Sequence, residues 1–225
     1  MLTVTRLLLI LAFAYRCSAW LALVPVSNSS SYTFLRQMRV FPHVRTICDR
    51  DTSFPHCDIT LDENYVYRTL PAKTRDMFRK AVRAYPDENV FIKYDDDVVV
   101  DYDYVLSVVN DVEKSGKMYL GDPMQCVGFR DARCMNGKFY AVSRSIAECF
   151  AYLVEDNDVN VSSLEDVFFG TVVYGKCSYL GFEYKSDLEK MIWHKHYQNQ
   201  NVCMNLAFKG DKDCKAPVRE KLLSI

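Results

Sequence analysis

The stretch that most constrains this chain is Phe91-Ile92-Lys93-Tyr94-Asp95-Asp96-Asp97-Val98-Val99-Val100, an apolar, β-branched run cut by three consecutive carboxylates. Adjacent acids repel one another and favour solvent, so a strand interior does not hold them. Two arrangements accommodate them. One is an acidic turn between two strands. The other is the point where a buried strand leaves a sheet, where the carboxylates become oxygen ligands for a hard divalent cation such as Mg²⁺ or Mn²⁺. The rest of the chain has to decide between these.

The remaining pattern alternates strands and helices. Pro71 suits the first turn of a helix, and Met77, Phe78, Ala81, Val82 and Tyr85 follow at three- and four-residue spacing until Pro86. Val90–Tyr94 reads as a buried strand. Asp101 caps a helix with Tyr104, Val105, Val108, Val109 and Val112 inward, stopped by Gly116. Lys117 to Leu120 is a short strand, and Gly121 to Gly137, with Pro123 and two cysteines, reads as a loop. Phe139–Val142 is a strand, Ser143 caps the next helix, and Ser162-Ser163-Leu164-Glu165 fits a capping box that opens the helix after it. Alternation of this kind predicts an α/β fold with a mostly parallel central sheet flanked by helices. In such folds ligands sit beyond the carboxyl ends of strands, which is where Asp95, Asp96 and Asp97 fall.

A net charge of −1 without a basic stripe excludes a nucleic-acid partner, and the eight glycines form neither a GxGxxG nor a Walker loop. The first residues carry an address. Arg6 precedes the apolar run Leu7–Tyr15, Arg16 interrupts it, and Cys17-Ser18-Ala19 offers small residues for signal peptidase. Either this is a cleaved signal peptide, or the run continues through Trp20–Val24 as an uncleaved anchor in the membrane. The sequence therefore divides into a targeting segment, 1–24, a linker and unassigned segment, 25–57, and a single domain, 58–225. Without Cys17, eight of the nine cysteines remain, an even number that predicts disulfides in an oxidising lumen. Asn28-Ser29-Ser30 and Asn160-Val161-Ser162 have the form of glycosylation acceptors.

Four segments, in order, resemble the signatures of the β-1,3-galactosyltransferase and N-acetylglucosaminyltransferase family, which includes Fringe-like enzymes. Lys93-Tyr94-Asp95-Asp96-Asp97-Val98 matches its K-x-D-D-D-V. Asp58 through Tyr65 to Lys73-Thr74 is similar to its D-x-Y-x-N-L-T-x-K-T, Gly137–Ser143 to its G-x-x-Y-x-x-S, and Glu165–Gly170 to its E-D-V-x-x-G. The family's domain opens with strands ahead of the D-x-Y segment. No counterpart is legible in the roughly thirty residues before Asp58, so the chain is expected to be shortened on its N-terminal side.

The resemblance implies a GT-A fold and transfer, with inversion, of galactose or N-acetylglucosamine from UDP-galactose or UDP-N-acetylglucosamine to a glycan or glycoprotein acceptor, in the Golgi membrane or lumen or after secretion. It implies a cation, Mn²⁺ or Mg²⁺, on Asp95 and Asp97, with Asp96 facing the ribose or positioning the nucleotide. Lys93 either contacts phosphate or pairs with carboxylates. Asp166 is the implied base for the acceptor hydroxyl, with Glu165 orienting the acceptor or its loop. The family also supplies a histidine to the metal, and Trp193-His194-Lys195-His196 offers His194 and His196. The competing expectation is a non-catalytic lumenal protein with a degenerate fold of the same kind.

Overall fold

The run before the aspartates is a central, fully buried strand, and the apolar segment expected to end the leader is its neighbour. This is so in a computed structural model that describes residues 19–30, 32–39, 41–96, 98–100, 102–126, 132–160, 162, 164–186 and 192–194. The elements are β1 (Trp20–Val26), α1 (Tyr32–Met38), β2 (Val44–Cys48), β3 (Ile59–Thr60), α2 (Leu70–Ala84), β4 (Val90–Tyr94), β5 (Val98–Val100), α3 (Tyr102–Ser115), β6 (Met118–Gln125), β7 (Arg133–Ser143), α4 (Arg144–Leu153), α5 (Glu165–Cys177), β8 (Glu183–Ser186) and β9 (Ile192–His194). Seven strands form one sheet in the order β3-β2-β1-β4-β7-β6-β8, and β5 pairs with β9 apart from it. β7 is antiparallel to both of its neighbours, while every other pairing in the large sheet is parallel. The mostly parallel α/β sheet expected from the alternation is present.

Period-two alternation splits β1 and β4 between two cores. Trp20, Ala22, Val24, Val90 and Ile92 pack with Leu35 and Met38 of α1 and with Val105, Val108, Val109 and Val112 of α3. Leu21, Leu23 and Phe91 pack on the other face, with Met77, Phe78 and Ala81 of α2, Phe150 of α4, and Phe168 and Phe169 of α5. Lys93 shares the Phe91 face, which turns its side chain toward α5.

Three expectations need correction. The sheet already includes Trp20, so the boundaries expected at 24 and 57 both fall inside the fold, and two parallel strands, β1 and β2, precede Asp58 where no opening was legible. Trp20–Val24 lies buried in the sheet, not along an anchor. Residues 1–18 lie outside the described part; within it, no helix is long and apolar enough to cross a membrane. Second, Gly121–Gly137 is largely the β6–β7 hairpin, with a register irregularity between Gly121 and Pro123 and a Cys126–Cys134 disulfide near its end. Third, the capping box does not form. Leu164 occupies the N-cap, Ser162 Oγ accepts the Leu164 N–H at 3.0 Å, and Glu165 points into the core. Cys48–Cys57 and Cys149–Cys177 are also bonded, whereas Cys203 and Cys214 lie outside the described residues.

Helix α5 lies directly on the β7 backbone at Gly170. A Cβ there would fall 2.7 Å from Cys134 Sγ and 2.8 Å from both Arg133 O and Cys134 Cα. Backbone cannot yield as a flexible side chain can. Gly170→Ala is therefore expected to lower stability by about 2–3 kcal/mol, measured by thermal or urea unfolding.

Candidate functional site

A chain that winds from β1 to β2 through α1 and from β3 to β4 through α2 covers opposite faces of the sheet on the two sides of β1. That reversal opens a crevice at the carboxyl ends of β1 and β4. A cleft of about 720 Å³ occupies it, lined by Ser27 and Asn28 after β1, Asp49 and Asp51 after β2, Tyr65 and Tyr67, Lys73 of α2, and Asp95 and Asp96 after β4.

Lys73 holds the cleft's floor together. Its Nζ donates to Val26 O at 2.8 Å and pairs with Asp49 Oδ1 at 2.9 Å, joining the ends of β1 and β2 through one buried ammonium. Burial pulls its pKa down, and Asp49 acts against that shift. Asn28 is engaged at the rim: its Oδ1 accepts the Ser53 N–H at 3.0 Å and its Nδ2 donates to Asp51 O at 3.3 Å. Asn160, the other acceptor in form, is exposed.

Behind Asp95 lies a second, buried cluster. Lys93 Nζ reaches Asp95 Oδ1 at 2.7 Å, Glu165 Oε2 at 3.0 Å and the Gly137 carbonyl. An ammonium has three N–H donors, and all three have protein acceptors, so none remains for a phosphate. Burial would lower the Lys93 pKa, but Asp95 and Glu165 outweigh it and hold it above the ordinary lysine value. Glu165 takes its other hydrogen bond from Tyr140 Oη at 2.7 Å. Burial raises the Glu165 pKa, with Lys93 and Tyr140 opposing, and burial with the nearby carboxylate keeps Tyr140 a protonated donor. Glu165 is 9% exposed, and both of its oxygens are engaged, by Lys93 and by Tyr140.

Asp166 sits one residue further along α5, half-buried. Its Oδ1 accepts the Val167 N–H at 2.8 Å and its Oδ2 the Gly137 N–H at 3.3 Å. Glu165 and Asp166 are not among the cleft-lining residues; they lie across Lys93 and Gly137 from Asp95. Gly137 is the spacer of this junction, since a Cβ on it would stand 3.0 Å from Glu165 Oε2 and 3.3 Å from Lys93 Nζ.

Of the residues expected to hold a cation, Asp95 and Asp96 line the cleft, and the Asp95 side chain is 34% exposed. Asp97 and His196 lie outside the described residues. His194 ends β9, in register with Val98, which places its backbone beside the residue that follows Asp97. Among the described residues no group of three His, Cys, Asp or Glu side chains is disposed to hold a metal ion. The donors at the cleft are nevertheless the hard carboxylate oxygens that Mn²⁺ or Mg²⁺ takes, and they fit such a cation.

Sequence reasoning missed Asp49, Asp51, Tyr67 and the Ser27–Asn28 turn. One signal was present: Val44–Cys48 is a five-residue run that delivers Asp49, as Val90–Tyr94 delivers Asp95.

No protein-family model matches the chain, and no curated protein matches it by sequence. Solved structures of related shape include a glycosyltransferase involved in glycosylation of the major capsid of the virus PBCV-1, at TM-score 0.49 and 13% identity over 83% of this chain and 99% of that one. Another is residues 1–349 of TarS from S. aureus, at TM-score 0.48 and 12% identity over 91% of this chain and 69% of that one. Likeness of this degree decides neither activity nor substrate, so the function has to be argued from the site.

Proposed function

We propose that the protein is a metal-dependent, inverting hexosyltransferase of the secretory pathway, Golgi-resident or secreted. It moves galactose or N-acetylglucosamine from a UDP-sugar to a glycan hydroxyl in β-1,3 linkage. One observation carries the reading: the K-x-D-D-D strand end and the E-D helix start, 72 residues apart from Lys93 to Glu165, meet on a single buried ammonium. An acidic turn between two strands has no use for that junction. The three disulfides support an oxidising compartment.

The parts divide the work. The cleft over β1 and β4 is the donor side, where Asp96, Asp49 and the Ser27–Asn28 turn offer polar groups to a ribose and base. A divalent cation bound there would be held by Asp95 and Asp97, with His194 or His196, and would neutralise the charge that grows on the UDP leaving group. Asp166 faces the acceptor side as general base. The acceptor oxygen forms a bond to the anomeric carbon as the bond from that carbon to UDP breaks; UDP leaves with the electron pair, and the acceptor proton passes to Asp166. Attack opposite the leaving group inverts the anomeric centre. The non-catalytic alternative drew its support from a missing opening; that β1 and β2 precede Asp58 and end at the cleft supports the enzyme reading instead.

Calorimetric titration with UDP, with and without Mn²⁺, tests the reading. Binding is expected to tighten by about tenfold or more with the cation, since it adds two positive charges beside the diphosphate. UDP binding that ignores Mn²⁺, or no binding at all, would sink the proposal.

A further inference from the structure

Lys93 stands between the donor side and the base side, and touches neither reactant. Its side chain is 4% exposed, and its charge rests on an oxygen of Asp95, the carboxylate that reaches into the cleft. A divalent cation arriving at Asp95 has to share that carboxylate with an ammonium already 2.7 Å away. The ammonium has a second carboxylate, Glu165, at 3.0 Å, so its hold on Asp95 depends on how much of its charge Glu165 takes up. A buried ammonium on Asp95 weakens that carboxylate's grip on a free cation.

From this geometry we propose that Lys93 is a positioning residue that sets the cation affinity of Asp95. It keeps free divalent cation weakly bound, so that the ligand the cleft takes is the cation together with a nucleoside diphosphate. The inference rests on the hexosyltransferase reading and deepens it. Glu165 is the counterweight: by drawing on the same ammonium it decides how strongly Lys93 competes.

The two residues therefore move metal affinity in opposite directions, which general damage to the site would not do. Lys93→Met alone strands a buried carboxylate and endangers folding, so it is paired with Glu165→Gln, which keeps an acceptor for Tyr140. Mn²⁺ alone, titrated into this double variant, is expected to bind roughly tenfold tighter than to the wild type. In Glu165→Gln alone, where the ammonium turns to Asp95, Mn²⁺ is expected to bind several-fold more weakly. Thermal melts establish that each protein is folded, and the single variant alone decides the matter if the double variant does not fold. Unchanged Mn²⁺ affinity in Glu165→Gln, or weaker or unchanged affinity in a folded double variant, overturns the inference while leaving the enzyme reading intact. A wild type that binds no Mn²⁺ even with saturating UDP overturns both.

Discussion

Replacing Leu23 with aspartate is expected to abolish folding, with loss of the cooperative thermal transition and of soluble yield. Leu23 is 0% exposed at the middle of β1, between β2 and β4, and packs in the core with α2 and α5. A carboxylate there replaces core packing and stands beside Lys93, its register partner on β4, whose three donors are already taken by Asp95, Glu165 and Gly137. Burying it, charged or neutralised, costs several kcal/mol on top of the lost leucine, a large share of the roughly 5–15 kcal/mol that holds a domain together. Leu23→Ala leaves a cavity instead and should cost about 2–5 kcal/mol, giving a folded protein with a lower melting temperature. The pair of substitutions separates a central strand from the end of a targeting segment, since a residue outside the fold would tolerate both. A Leu23→Asp protein that melts like the wild type would remove β1 from the sheet, and the cleft built on its end would go with it.

β1 was illegible for a physical reason. A parallel strand covered on both faces needs no polar side, so Trp20–Val26 reads as an unbroken apolar run. Only Arg16, Cys17, Ser18 and Ala19 separate it from Leu7–Tyr15, and hydropathy cannot tell a buried strand from the tail of a leader. The helices α2, α3 and α4 were legible because each shows one apolar face at helical spacing, whereas α5 is buried on most of its sides, from Val167 through Val173, and offers no such single stripe. The β6–β7 hairpin was hidden by its own irregularity. Gly121 and Pro123 are loop signals, yet here they mark a break in register within a paired strand. Gly121 is constrained rather than free, since a Cβ on it would lie 2.7 Å from Met135 Cβ.

The site divides in the same way. Lys93, Asp95, Gly137, Tyr140, Glu165 and Asp166 were visible as pieces of motifs, and the structure brings them to one junction. Their roles were less visible, because a motif does not state burial. Glu165 fits the third position of a capping box by spacing, but the neighbouring strands offer its carboxylate Lys93 and Tyr140. Charge-assisted hydrogen bonds in a dry site outweigh one backbone N–H at a helix end. Asp49 and Lys73 meet through tertiary structure alone, across 24 residues with no shared motif.

Asp166→Asn is expected to lower kcat by about 10³-fold while leaving the affinity for UDP with Mn²⁺ within about twofold. Asparagine has the same shape but cannot take a proton from the acceptor, and Asp166 does not line the donor cleft, so its charge is not needed to hold the nucleotide. The structural cost is small. The side-chain oxygen can keep the bond from Val167 N–H, and the bond from Gly137 N–H, at 3.3 Å the longer of the two, is lost for about 1 kcal/mol. Single-turnover transfer and UDP titration on the same preparation separate the possible roles. A fall in UDP affinity that parallels the loss of rate would make Asp166 a support for the cleft, acting through Gly137 and Lys93. An unchanged rate would put the base elsewhere. Loss of rate with affinity kept is the result that a base beyond the Lys93 junction requires, because only then do the two sides of that ammonium do separate work.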